Sequence, residues 1–312
     1  MVDVAEILAD VEAESTALDA LVAQLPAEVW ARDTPSAGWS IAHQIGHLAW
    51  TDSAVIAAAT AANGDTATFD SLMQAVQSGT VTIDSAAAEL AQLTPATLLE
   101  QWRDGRRRMA ASLREVTEGA KLPWFGPPMS AASMATARIM ETWAHGQDIV
   151  DALGATREPS ERLRHIAHLA VRTRNFAFKV NNLAVPESEF RVELTGPAGE
   201  IWMWGPADAS DRVAGSAEDF CLLATRRRHR DDLALTAEGS GADQWLDIVQ
   251  AFAGPPGEGR RREGRRKDGR RREGRRKEGR APSATSQGAA PSAAGPTSPT
   301  EPAEAEAAGP TI

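Results

Sequence analysis

Residues 39–52 read WSIAHQIGHLAWTD. Ser40 stands where a helix N-cap belongs, because its hydroxyl can accept from a backbone N–H of the first turn. Ile41, Ile45, Leu48 and Ala49 then recur at helical spacing, and Val55 and Ile56 extend the pattern toward Ala62 before the Asn63-Gly64 stop. Upstream, Val4, Ile7, Leu8, Val11, Leu18, Leu21, Val22 and Leu25 form one apolar stripe. Downstream, Thr94-Pro95 pairs a cap residue with proline at the first helical position and opens LLEQWRDGRRRMAASLREV. After the loop LPWFGPP, Ser130 begins a helix that runs to Gly154. Four long helices with one apolar face each are what a four-helix bundle requires. A further helix is expected over about 160–181.

The periodicity changes after Pro186. FRVELTG and IWMWGP alternate apolar and polar residues around the turn 196–199, the pattern of a hairpin. AEDFCLLATRRRHR then reads as a helix, LALTAEG as a strand and ADQWLDIVQAF as a last helix. The expected organisation is a mainly α chain: a helical bundle over 1–184, a small α+β domain over 185–254, and a disordered tail over 255–312. That tail begins with the repeat RRREG-RRKDG-RRREG-RRKEG and continues rich in Pro, Ala, Ser and Gly, so it has too little apolar surface to offset its ordering entropy.

Charge narrows the function. The 312 residues carry a net charge of −10, but 13 Lys and Arg are concentrated in 260–280, which leaves about −15 on residues 1–257. A nucleic-acid partner is therefore not expected for the body of the protein, and weak polyanion contacts are confined to the basic tail. No run approaches the ~20 apolar residues of a membrane helix. The acidic N-terminus lacks the pattern of a secretory signal, which points to the cytoplasm. Cys221, the single cysteine, falls among Phe220, Leu222 and Leu223 and reads as a core residue. It cannot build an iron–sulfur cluster by itself.

Six histidines are present, and two of them stand in one pair, His43 and His47, while Glu141 and His145 make another at the same spacing of four. Residues four apart on a helix share a face. Carboxylate and imidazole groups projecting inward from facing helices are how bundles hold metal ions, with zinc, iron or nickel suited to such ligands. Structural roles for either pair compete with this reading. Asp148 lies one turn beyond His145 and suits either orienting a ligand or facing solvent; Asp52 reads as structural. His165, His168 and His229 have no partner at useful spacing. Trp50 and Trp143 adjoin the motifs, but immediate neighbours of a ligand point off its face.

The motif WSIAHQIGHLAWTD, followed about 90 residues later by RIMETWAHGQDIVDALG (138–154), resembles the DinB-like metalloproteins. The closer likeness is to their actinobacterial branch typified by mycothiol-dependent maleylpyruvate isomerase. The resemblance implies a metal triad at His47, Glu141 and His145, and leaves His43 a supporting role. GPAGEIWMWGP and VAGSAEDFCLLATR resemble that branch's C-terminal, sterol-carrier-like domain, from which an arginine reaches the active site. Its counterpart falls within Arg226, Arg227, Arg228 or Arg230, with Arg227 the candidate catalytic residue; as residues at a helix C-terminus these arginines also suit a purely solvated role. The segment from RRRHRDDL to WLDIVQAF also resembles one named for wyosine base formation in tRNA-modifying enzymes, whose radical chemistry needs clustered cysteines.

The expected function is that of a divalent-metal-binding protein, zinc foremost, acting as a thiol-dependent isomerase or S-transferase with mycothiol as cosubstrate on an electrophilic small molecule. The competing expectations are a non-catalytic metal- or small-ligand-binding protein, a tRNA-modification-associated protein, and a protein that interacts through its tail.

Overall fold

A computed structural model describes residues 3–254, 257 and 259–262. The expected disorder of the tail therefore concerns residues that, apart from those few positions, lie outside the described ones. The described residues fall in one compact unit. Among them no helix is long and apolar enough to cross a membrane.

Four helices make the bundle: α1 (Val4–Val22), α2 (Ile41–Ala62), α5 (Pro95–Arg114) and α6 (Ala131–Leu153). Each starts on a polar cap. The Asp3 carboxylate accepts from the Ala5 N–H, Thr94 caps α5 ahead of Pro95, and Ser130 Oγ accepts from the Ser133 N–H. α6 ends at Gly154, whose φ of 64° is the left-handed geometry that a helix stop demands. α2 packs against α5 and α6, and α1 against α6. Ile41, Ile45, Leu48, Leu98, Trp102 and Ile149 are buried at one end of the bundle, and Leu8, Val11, Val55, Met109 and Ile139 in the larger core.

Two short helices were not expected from the sequence. α3 (Ala67–Gln77) and α4 (Ile83–Leu90) cross outside α2. Each buries few apolar side chains, Phe69 from α3 and Ala86 and Ala87 from α4. A stripe that thin gives almost no periodic signal. Instead, α4 is held by close approach: a Cβ built on Gly46 of α2 would lie 2.9 Å from the Ala87 carbonyl oxygen and 3.2 Å from Leu90 Cβ. Only glycine lets the two helices meet here.

The segment expected as one helix over 160–181 is two, α7 (Leu163–Arg172) and α8 (Arg174–Val180). They break at Thr173, whose hydroxyl is within hydrogen-bond reach of the Leu169 and Gln250 carbonyls, each at 2.9 Å. The second of these contacts ties the break to the C-terminal end of the fold.

The C-terminal part is a four-stranded sheet of order β2-β1-β3-β4 with helices α9 (Ala217–Ala224) and α10 (Ser240–Ile248). β1 (Arg191–Thr195) and β2 (Ile201–Trp204) form the expected antiparallel hairpin. β3 (Arg212–Ser216), absent from the sequence reading, pairs parallel with β1, and β4 (Thr236–Glu238) is antiparallel to β3. Phe190, Phe220 and Trp245 pack ring to ring, with Phe178 of α8 against Phe190. Helices and sheet thus share one apolar core.

α9 stops six residues before the helix expected over 217–230 does. Arg226 adopts φ 61°, the Arg226 N–H bonds the Leu223 carbonyl at 2.9 Å and the Arg227 N–H bonds that of Leu222 at 2.8 Å. This is a Schellman stop with arginine where glycine is usual. It takes the TRRRHR cluster off the helix axis. The arginines are therefore not spread along a solvated helix end.

The Gly46 contact makes a direct prediction. Gly46→Ala should cost about 1–3 kcal/mol by overpacking, read from denaturant unfolding, while Gly64→Ala, whose Cβ meets no atom within 4 Å, should show only the milder strain of its positive φ.

Candidate metal centre

α2 and α6 bring His47, Glu141 and His145 together. Nε2 of His47 and Nε2 of His145 each lie 3.2 Å from the same atom, Oε2 of Glu141. Ligand atoms of the three residues all fall within 4.8 Å of one another, the spacing of a set able to hold a metal ion. His47 is buried, and the side chains of His145 and Glu141 are 13% and 26% exposed, so one side of the cluster remains reachable.

The surroundings fix the chemical state of the imidazoles. Gln44, fully buried one turn before His47, donates its amide to Thr34 Oγ1 at 2.9 Å, and Thr34 in turn donates to the Trp39 carbonyl at 2.7 Å. The Gln44 oxygen is thereby aimed at His145 Nδ1, 2.5 Å away. His145 must carry its proton on Nδ1 to make that bond, which leaves the Nε2 lone pair facing a carboxylate oxygen. Two electron-rich atoms in contact need a positive charge between them. A proton is a poor candidate: burial, then the neighbouring His47, push the His145 pKa down to about 4. Burial alone would raise the Glu141 pKa, but the imidazoles of His145 and His47 set against its Oε2 hold it well below the usual carboxylate range. Nδ1 of His47 is buried and has no hydrogen-bond partner among the described residues. The donor set, two imidazole nitrogens and one carboxylate oxygen with a face left open, matches that of catalytic zinc sites.

Other sequence candidates sort themselves by contact. His43 is not in the cluster. Its Nδ1 accepts from the Ser40 N–H at 3.3 Å and lies 2.8 Å from Ser40 Oγ, so it caps α2. Asp52 forms a buried ion pair with Arg138 of α6, 3.0 Å apart. Asp148 is neither a solvent-facing group nor directed at an imidazole. It is wholly buried and binds Arg227 at 3.0 Å, Ser36 Oγ at 2.9 Å, and Arg260. Arg227 is spread over three acceptors: Asp148, the Ala144 carbonyl at 3.1 Å and the Thr225 carbonyl at 2.6 Å. Ala144 adjoins His145, and the Arg227 charge is among those that disfavour protonation of that imidazole. Arg228 pairs through two hydrogen bonds with Asp151, and Arg230 with Asp243 and Asp247. His165 lies 2.8 Å from Asp10, and His168 accepts from the Trp204 indole N–H at 3.2 Å, both partners being distant in the sequence. Cys221 is buried, and desolvation pushes its thiol pKa far up, so it is no nucleophile.

Two residues of the centre escaped the sequence reading. One is Gln44, whose spacing of three from His47 was its only signal. The other is Trp39, which stacks on His145 at 5.8 Å between ring centroids and lies 5.4 Å from His47. Its indole N–H donates to Asp84 of α4 at 2.8 Å. Trp50 turns instead to stack on Phe125 at 6.0 Å, and Trp143 packs under Arg157 at 4.7 Å. A separate groove of about 760 Å³, lined by Trp30, Leu99 and Arg103 among others, includes none of the three clustered side chains.

The depressed His145 pKa sets a pH dependence for metal-free protein. Between pH 6.5 and about 4 the unfolded chain binds a proton at this residue that the folded chain refuses. Stability from this group is therefore complete above pH 6.5 and is lost as pH falls toward 4; Glu141 adds a further loss only below its ordinary value of 4.5. Denaturant unfolding in chelator from pH 7.5 to 4.5 should show that decline, and His145→Gln should flatten it. A variant profile parallel to the wild type would refute the assignment.

Comparison with known proteins finds relatives of this chain. The family described as "Mycothiol maleylpyruvate isomerase N-terminal domain" matches residues 11–150, and one described as "Wyosine base formation" matches residues 186–238. Two Mycobacterium tuberculosis proteins, MT0041 of strain CDC 1551 and Rv0036c of strain H37Rv, are each 57% identical over 261 residues, spanning 83% of this chain and all of theirs. Crystal structures of the mycothiol-dependent maleylpyruvate isomerase and of a histidine-to-alanine mutant of it match with a TM-score of 0.52 at 17% identity, over 76% of this chain and 93% of theirs. That likeness is one of fold, and the fold is the DinB-like bundle with a small C-terminal sheet. The chain belongs to one family with the two mycobacterial proteins, and over residues 11–150 it carries the mycothiol maleylpyruvate isomerase N-terminal domain.

Proposed function

We propose that His47, Glu141 and His145 hold a divalent cation, zinc by preference, and that the protein is a mycothiol-dependent isomerase or S-transferase acting on an electrophilic small molecule. The observation that carries this reading is the convergence of His47 Nε2 and His145 Nε2 on Glu141 Oε2, with the Gln44 oxygen set against the opposite nitrogen of His145. Such a cation, when bound, lowers the pKa of a coordinated thiol and polarises a substrate carbonyl.

The chain's own residues supply the remainder. Gln44 fixes the tautomer and ring plane of His145, as carboxylates and carbonyls do behind most metal-ligating histidines. Trp39 covers both imidazoles from one side and limits water there. Arg227 brings positive charge behind His145 in a protein body that is otherwise strongly acidic, which favours an anionic thiol and an acidic substrate. Anchored on three acceptors, it acts through its field rather than by a mobile contact.

The wyosine description over residues 186–238 supports no tRNA-modifying radical chemistry in this chain, which has one cysteine, and that one buried. Isomerisation fits the same site through addition of the thiolate to a double bond, rotation and elimination; displacement on the same electrophile is the transferase alternative.

Metal analysis of purified full-length protein tests the proposal. The wild type should bind zinc stoichiometrically, His47→Ala and Glu141→Ala should fail to retain it, and Gln44→Leu should bind it about 10–100-fold more weakly. Mycothiol should then shift the absorption of the cobalt-loaded wild type. Failure of the wild type to take zinc or cobalt would overturn the metal reading, and cobalt-loaded protein indifferent to mycothiol would leave a metal-binding protein without the thiol chemistry.

A further inference from the structure

The Asp148 carboxylate is fully buried on α6, one turn beyond His145. Its two oxygens are served unequally. Oδ2 accepts from Ser36 Oγ and from Arg227 Nη2, whereas Oδ1 has, among the described residues, one partner, Nη2 of Arg260. Arg260 is the first arginine of the basic repeat, in a stretch whose composition reads as solvated tail. Its side chain is nonetheless only 20% exposed. Two residues on, Arg262 lies 3.5 Å from Asp231 and 3.9 Å from Asp232. The chain over 259–262 is thus anchored to α6 through Arg260, with Arg262 lying beside the 3-10 turn Arg230–Asp232.

We infer that residues 259–262 form a strap belonging to the folded body, and that Arg260 is a positioning residue of the metal centre, acting through Asp148 on Arg227 and so on His145. The inference rests on the proposed function for the identity of the centre, but the strap itself stands on the carboxylate's need for donors. Without Arg260, Oδ1 of a buried anion would be left unpaired, a state proteins rarely tolerate. Asp148 would then draw the Arg227 guanidinium across both oxygens, because a two-point grip is the preferred geometry of that pair. That movement would pull Arg227 from the Ala144 carbonyl, immediately behind His145. The strap therefore couples the end of the fold to the imidazole whose lone pair defines the site.

Full-length Arg260→Ala, Arg260→Lys and Arg261→Ala separate the possibilities, Arg261 being exposed. Arg260→Ala should lower the melting temperature of metal-free protein by about 3–8 °C and alter the visible ligand-field spectrum of the cobalt-loaded protein. Arg260→Lys, which keeps one donor for Oδ1, should recover most of both, and Arg261→Ala should change neither. A melting temperature unchanged in Arg260→Ala would overturn the strap. A lowered melting temperature with a wild-type cobalt spectrum would overturn the positioning role. Should the wild type take no cobalt, the metal reading fails and the positioning role with it, while the melting temperatures still decide the strap.

Discussion

One carboxylate oxygen, Oε2 of Glu141, sits 3.2 Å from two imidazole nitrogens carried by different helices. In bulk water such a cluster would loosen or take up a proton. Here burial disfavours the imidazolium, and the hydrogen bond to Gln44 already occupies the other nitrogen of His145, so the three side chains form a set able to hold a cation. The polar chain Trp39 carbonyl–Thr34–Gln44–His145 exists to hold that state, and each member is satisfied by the next.

Much of the remaining architecture serves the same few ångströms. Glycine at position 46 lets α4 reach α2, and α4 carries Asp84, which holds the Trp39 indole over the histidines. The Ser40–His43 cap starts α2 in the register that turns Gln44 and His47 inward. On the far side, the left-handed turn at Arg226 swings Arg227 and Arg228 onto Asp148 and Asp151 of α6. The small sheet and α9 thereby contribute charge to a site whose three clustered side chains all come from the bundle. That arrangement gives the C-terminal part a physical reason to share the bundle's core rather than hang from it as a separate module.

The long helices were legible because their apolar stripes are wide and their caps conventional, and the hairpin because its period of two is clean. The triad was legible in part: spacing put Glu141 and His145 on one face, but His43 and His47 share the same spacing, and it was the family likeness that favoured His47. The structure gives the reason. His43 falls at the third helical position, where its ring completes the cap and cannot also turn inward. Elements with narrow stripes or no punctuation were invisible. α3 and α4 bury too little, β3 is a five-residue strand with glycine in it, and the stop at Arg226 lacks the glycine that normally announces one.

By itself the sequence determined a helical bundle, a small sheet after it, an acidic body with a basic tail, and two imidazole–helix motifs able to approach one another. These depend on periodicity, composition and local caps, all of which are properties of neighbouring residues. Only the tertiary structure decided that Gln44 sets the tautomer of His145, that Trp39 roofs the cluster, that Asp148 is a buried hub, and that Arg260 reaches back to it. Each of those is a contact between residues distant in the chain, or between a side chain and the particular oxygen left unpaired by another, and the choice among several chemically equivalent arginines or histidines is made by which one the packed backbone can deliver there.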